Sequence, residues 1–255
     1  MAAYGLPALY ALFVWWFTTG AILYLDGLPR HTYRWSMFGA TALALLALIG
    51  LDRSCESATV AGAYCAFTCA IIVWGWVEIS FLMGFVTGPR TSAAPVGCSE
   101  WRRFGLAVQA IAYHELAIVF AAGAIALLSS GAPNQVGLWT FLILWAMRLS
   151  AKLNLFLGVR NLGEEFLPER LRYLRSFFVK RPMNLLFPIS VTVSTILAAI
   201  LWTEATAGTT SAFDATGLAL AAALLSLAIL EHWFMVLPMP TTALWSWGLR
   251  SRAPR

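Results

Sequence analysis

Charged side chains are scarce in this sequence. Only 11% of its 255 residues are Asp, Glu, Lys or Arg, against about 25% in an average soluble chain, while 60% are apolar and the mean hydropathy is +0.75. A soluble domain of any size, which must clothe itself in polar surface, is excluded. Short alternating apolar and polar runs are missing as well, which argues against a β-barrel. The first apolar run has no basic n-region and no small-residue cleavage site, so it reads as a retained helix and not as a removed signal peptide. Cysteine is sparse. Cys55, Cys65, Cys69 and Cys98 imply no disulfide pair, and Cys65 and Cys69, though spaced to suit a metal, read as small core hydrophobes. No convincing internal repeat and no extended low-complexity tract interrupts the chain.

What the sequence does have is seven apolar segments, at roughly 6–25, 35–51, 58–87, 104–130, 136–158, 184–203 and 215–237. Most approach or exceed the ~20 residues of a spanning helix; the second is marginal. Helices close their backbone hydrogen bonds internally, as lipid demands. The expected fold is therefore all-α, a polytopic membrane helix bundle of about seven transmembrane helices forming a single integral-membrane domain over 1–255.

The net charge of +5 is placed by topology and not for nucleic acid. Arg30 and Arg34 follow the first span, Arg90, Arg102 and Arg103 the third, Arg160, Arg170, Arg172, Arg175, Lys180 and Arg181 the fifth, and Arg250, Arg252 and Arg255 the seventh. Seven spans put all of these on one face and only Arg53 on the other. By the positive-inside rule the N-terminus is periplasmic and the C-terminus cytoplasmic. Three features of the connections carry further expectations. The Gly/Pro/Ser-rich loop Gly88–Glu100 has no periodicity and reads as irregular. Residues 166–181, FLPERLRYLRSFFVKR, set Leu167, Leu171, Leu174 and Phe178 in an apolar stripe opposite arginines, the pattern of an amphipathic helix on the cytoplasmic membrane surface. Pro238 and Pro240 kink or stop the last span, and Trp245, Trp247, Arg250 and Arg252 then look like an interfacial anchor.

Against this background a few ionisable residues fall deep inside spans. Arg148 and Lys152 stand four apart in GLWTFLILWAMRLSAKLNLFLGVRNLGEE, hence on one helical face, with Asn154 just beyond. A cation in the hydrocarbon layer costs about 2.5–3.5 kcal/mol even on the lenient scale, so both need internal partners. Glu78 in WGWVEISFLMGF, His114 and Glu115 in AIAYHELAIVF, and Glu231 and His232 in AILEHWFMV are the groups available. At 1.5 Å per residue, His114 lies ~16 Å beyond Arg103, Glu78 at a similar depth, Arg148 and Lys152 ~18 and ~12 Å before Arg160, and Glu231 ~10 Å before Pro238. Four helices thus place charge between the midplane and the cytoplasmic face, and one shared pocket is the economical arrangement.

Three readings of such a pocket stand open. The first is a structural ion-pair network, in which Arg148 and Lys152 neutralise two of Glu78, Glu115 and Glu231. The second is a metal site, with Glu78, His114, Glu115, Glu231 and His232 around iron and Glu164 and Glu165 as second candidates; the Glu-x-x-His spacing of ferritin-like sites is absent. The third is a tetrapyrrole pocket, in which His114 or His232 ligates a central metal and a small residue at i−4, Ala110 or Ala228, leaves room for the macrocycle.

The strings LDGLPRHTYRWSM, VEISFLMGFVTGPR, YHELAI, GLWTFLILWAMRLSAKLNLFLGVRNLGEEFLP and SFFVKRPMNLLFPISVT, spanning about residues 20 to 240, resemble the PuhE family, photosynthetic complex assembly protein 2 of purple phototrophic bacteria. The resemblance implies a multi-pass protein of the bacterial inner, intracytoplasmic membrane that helps assemble the reaction centre and light-harvesting antenna. Its partners would be their subunits or other assembly factors. It favours bacteriochlorophyll or a precursor as the ligand, held through His114, His232, Arg148 and Lys152, over an iron enzyme of bacteriochlorophyll biosynthesis. It carries no established catalytic residues, so none is transferred.

Overall fold

In the computed structural model, which describes residues 2–252, seven long helices carry the fold: α1 (Ala2–Asp26), α2 (Tyr33–Cys55), α3 (Val60–Leu82), α4 (Glu100–Leu128), α5 (Val136–Leu157), α6 (Leu186–Thr206) and α7 (Ala212–Phe234), followed by a short α8 (Ser246–Leu249). All seven are long and apolar enough to cross a membrane, which makes this a multi-pass helical membrane protein. No strand occurs among the described residues; Arg255 lies outside them. The marginal second segment becomes a helix of 23 residues, because polar Tyr33, Arg34, Asp52 and Arg53 continue it past the apolar run. Side chains fix several starts. Thr59 accepts from the amide of Gly62 and Ser211 from that of Asp214, each relieving one of the donors a helix leaves free.

Two helices form the centre. α3 and α7 are buried over 67% and 61% of their most apolar stretch, the other five over 22% or less. Their small residues explain it. Ala63, Ala66 and Ala70 on α3, with Ala219 and Ala222 on α7, are at most 1% exposed, and such residues let helix backbones approach closely where lipid removes the usual hydrophobic drive. α2, α4 and α6 turn Phe38, Leu46, Phe120 and Ile189 outward. α5 packs against both α3 and α7, so the stripe carrying Arg148 and Lys152 points into the bundle.

The end of the bundle that carries the 27–32, 83–99, 158–185 and 235–245 connections, called the basic end below, departs from expectation in three places. α3 stops at Leu82 and not at 87; Gly84 takes a left-handed φ of 73° that favours glycine, and the chain doubles back along α4. The backbone amide of His114, about 20 Å along α4 from its first residue, donates to the carbonyl of Thr87. Gly88 is pressed so close to α4 that an added Cβ would stand 2.0 Å from the carbonyl oxygen of Gln109. Irregular backbone at this depth survives because protein covers it: Met83, Thr87 and Gly88 are buried.

The second departure is 166–181. The expected amphipathic helix takes the form of a 3₁₀ helix, Glu169–Phe177, preceded by a 3₁₀ turn at Glu164–Phe166. At three residues per turn its covered face is Pro168, Leu171, Leu174 and Phe177, a strict spacing of three. That face packs on Phe81, Leu82 and Ala110, and so meets protein where lipid was expected. Arg172 and Arg175 pair with Glu169 and Glu164.

The third is the tail after Pro240, expected as a lipid anchor. It straps across α1 instead. Trp245 is 4% exposed and donates to the Trp16 carbonyl, Trp247 packs on Trp16 and Phe17, and Arg252 holds the buried carboxylate of Asp26 at 2.6 Å.

Candidate functional site

α3, α4 and α5 bring together five of the seven ionisable residues singled out in the sequence. Arg148 on α5 donates to Glu78 on α3 at 2.7 Å. One turn on, Lys152 donates to Glu115 on α4 at 2.5 Å. The i, i+4 stripe of α5 is thus neutralised by an acid from each of two neighbours, and in a poorly hydrated bundle each pair avoids leaving an isolated charge.

His114 sits beside the first pair. Its Nε2 is 3.9 Å from Glu78 Oε1, its ring lies 4.3 Å from that of Phe81, and it is fully buried. Neither ring nitrogen has a protein partner, nor does Glu78 Oε1. Ala110, the small residue expected to leave space for a macrocycle, is covered by the doubled-back segment at Gly88. Ligation of a tetrapyrrole by His114 therefore requires residues 84–88 to move.

His232 belongs to a different network. It follows Glu231 on α7, and its Nε2 pairs with Ser150 Oγ at 2.9 Å while Nδ1 pairs with the Ala228 carbonyl at 2.9 Å. Both ring nitrogens are engaged. Ser150 also bonds Ser190 on α6 at 3.0 Å. Asn154 reaches Ser190, and Asn184 reaches Asn154 before capping the start of α6 through the amides of Leu186 and Phe187. Sequence reasoning picked out Asn154 and His232 but missed Ser150, Ser190 and Asn184. Ser and Asn are common in membrane helices, and the one available hint was the spacing Ser150-x-x-x-Asn154 on the α5 face opposite the cations.

Glu231 takes a third position. It accepts from the indole of Trp15 on α1 at 2.7 Å and lies within electrostatic reach of Arg148. The charged side is not sealed. Arg148 keeps 42% of its side-chain surface accessible and Glu115 26%, and Glu231 is exposed. These groups thus stay partly accessible at a depth where ionisable residues are costly.

The metal reading finds little support in this arrangement. Among the described residues no group of three or more His, Cys, Asp and Glu is gathered as a metal set. Glu78 and Glu115 are taken up by cations, and His232 is separated from His114 by α5. Glu164 and Glu165 lie at the basic end, Glu164 pairing with Arg175 and the Glu165 carbonyl accepting from Arg252. All four cysteines are free thiols.

Comparison with known proteins places the chain without naming a reaction. A Rhodobacter capsulatus protein described as an uncharacterized 30.4 kDa protein in the puhA 5′ region is 42% identical over 250 residues, covering 96% of this chain and 91% of the relative. No solved structure matches. The family described as protein of unknown function (DUF3623) matches residues 1–255. With its length covered from end to end and a relative at this identity, the chain belongs to the DUF3623 family.

Proposed function

We propose that this protein is an assembly factor for the photosynthetic reaction centre–light-harvesting complex in the bacterial inner membrane, and that it holds bacteriochlorophyll or a late precursor at the open side of its intramembrane charge cluster. The relative encoded in the puhA 5′ region supports the photosynthetic setting, and the strings shared with the PuhE family point the same way. One observation of the site carries the ligand reading: Arg148, deep in an apolar helix, is paired to Glu78 yet keeps 42% of its side chain accessible. A guanidinium has five donors and Glu78 uses only part of them. The rest suit the carbonyl or carboxylate oxygens of a large apolar pigment whose ring would take the place of lipid.

In this reading hydrogen bonds from Arg148 hold the ligand, with Glu231 and the Trp15 indole at the rim. His114, whose ring nitrogens have no protein partner, would offer its imidazole to such a pigment's metal only if residues 84–88 withdrew. His232 keeps its structural role.

The test is spectroscopic. The full chain, expressed in a phototrophic host and purified in mild detergent, is expected to carry far-red pigment absorbance that falls several-fold in Arg148→Met. Stoichiometric iron without pigment would overturn the proposal in favour of an integral-membrane enzyme. Pigment content and complex assembly both unchanged in Arg148→Met would leave the charge cluster as a structural network alone.

A further inference from the structure

A cleft of about 420 Å³ opens at the basic end, lined by Arg30, His31, Tyr33, Arg34, Phe85 and Arg170. It lies apart from the intramembrane cluster. Its charge is of one sign: three guanidiniums, beside the imidazole of His31, with no carboxylate among the lining residues. Elsewhere at this end the side chains of Arg102, Arg160, Arg181 and Arg250 also make no ion pair or hydrogen bond among the described residues, but other arginines have acceptors. Arg172 holds Glu169, Arg175 holds Glu164, Arg252 holds Asp26, and Arg90 donates to the carbonyls of Ser92 and Ala93. The side chains of Arg30, Arg34 and Arg170 make no ion pair or hydrogen bond among the described residues; Arg170 lies 5.1 Å over the ring of Tyr33 and Arg34 5.2 Å over that of Trp35.

The cleft is built and not incidental. Tyr33 is buried, and its hydroxyl donates to the carbonyl of Asp26, which fixes the ring as a floor. Gly84 lets Arg170 lie across the turn, for an added Cβ would stand 2.7 Å from Arg170 Cδ. Arg30 and Arg34 flank the start of α2, where the helix dipole is already positive, so the arrangement costs energy unless an anion balances it. Asp26, whose carbonyl accepts from Tyr33, has its carboxylate held by Arg252. The volume holds many waters at about 30 Å³ each, enough for a head group. On the lipid side Phe85, Trp35 and Phe38 are 55%, 66% and 73% exposed, so an apolar wall continues from the cationic pocket along α2.

We propose that this cleft binds the phosphate head group of an anionic phospholipid, with its acyl chains lying along the apolar face of α2. Guanidiniums match phosphate in geometry as well as charge, and basic pockets between membrane helices recognise such head groups. The inference does not depend on the pigment reading, since no residue is shared between the two places.

Native mass spectrometry of the full chain, titrated with phosphatidylglycerol, phosphatidylcholine and inorganic phosphate, tests it. Phosphatidylglycerol is expected to be retained over phosphatidylcholine. The preference should weaken at least about tenfold in the Arg30→Gln/Arg34→Gln variant, persist in Arg30→Lys/Arg34→Lys, and be unchanged in Arg172→Gln. Thermal melting of each variant at the wild-type temperature shows that the bundle is intact. Equal retention of both lipids, or phosphatidylglycerol binding undiminished in the Gln variant, would overturn the proposal. So would inorganic phosphate bound as tightly as the lipid, which would make the occupant a soluble anion.

Discussion

The two faces of α5 solve the burial of polar groups by different means. On one, Arg148 and Lys152 reach acids on α3 and α4, and the pairs remain partly open, with 42% of Arg148 accessible. On the other, half a turn round the helix, Ser150 and Asn154 join Ser190, Asn184 and His232 in a relay of neutral hydrogen bonds, with Asn154 fully buried and His232 only 2% exposed. The charged pairs close to 2.7 and 2.5 Å, and Coulomb attraction, which falls slowly with distance, also reaches beyond contact. Neutral groups gain only at contact, at about 2.7–3.2 Å. The neutral face therefore needs α5, α6 and α7 held in register, whereas the charged face keeps Arg148 and Glu115 partly accessible. A single helix thus carries a neutral relay on one side and partly accessible ion pairs on the other.

The comparison is most directly broken by removing one charge. Glu78→Leu leaves Arg148 unpaired at membrane depth and is expected to cost about 2–3 kcal/mol, less than in a sealed pair because 42% of Arg148 is accessible, measured by reversible unfolding in bicelles. Glu78→Leu/Arg148→Leu should recover most of that loss. A double variant no better than the single would mean that the pair is not the unit. On the neutral face Asn154→Ala is expected to cost about 1–3 kcal/mol by orphaning its partners. A double-mutant cycle with Asn184→Ala should give a coupling of about 0.6–1.7 kcal/mol; additive losses would contradict a connected relay. Lys152→Met is expected to cost only about 1 kcal/mol, because Glu115, 26% accessible, can be rehydrated. Last comes Arg172→Gln, a surface i, i+3 pair, expected to stay within about 0.5 kcal/mol in the same assay; a larger effect would mean that the basic end is more tightly braced than its exposure implies.

The spans and the charged face were legible because each is a strong local signal. Twenty apolar residues need no tertiary information, and two cations four apart on an apolar helix demand acids wherever these lie. Which acid serves which cation was not legible. Glu78, Glu115 and Glu231 were equivalent in sequence, and the choice follows from α5 lying between α3 and α4 while Trp15 takes Glu231. The neutral relay was hidden because a serine hydroxyl in a helix so often satisfies itself on its own backbone, as Thr140 and Ser226 do here. Depth was misjudged for a physical reason as well. A run of apolar residues past Leu82 reads as more helix, but Gly84 and Gly88 permit a reversal whose cover comes from α4 and residues 167–178, far along the chain. The stripe of 166–181 was seen and its period misassigned, since Leu171 and Leu174 belong equally to a three-residue and a 3.6-residue repeat, and Pro168 and Phe177 decide between them.

Asp26 and Arg252 are 226 positions apart, and that interval has a meaning in time. During synthesis the first helix enters the bilayer long before its partner exists. Its terminal carboxylate must be met by water or lipid head groups until residues 245–252 leave the ribosome and fold over Trp16 and Gly20. Closure of the strap therefore follows synthesis of all seven long helices, and a protease acting on nascent chains should find the α1–α2 turn open before that moment and shut after it.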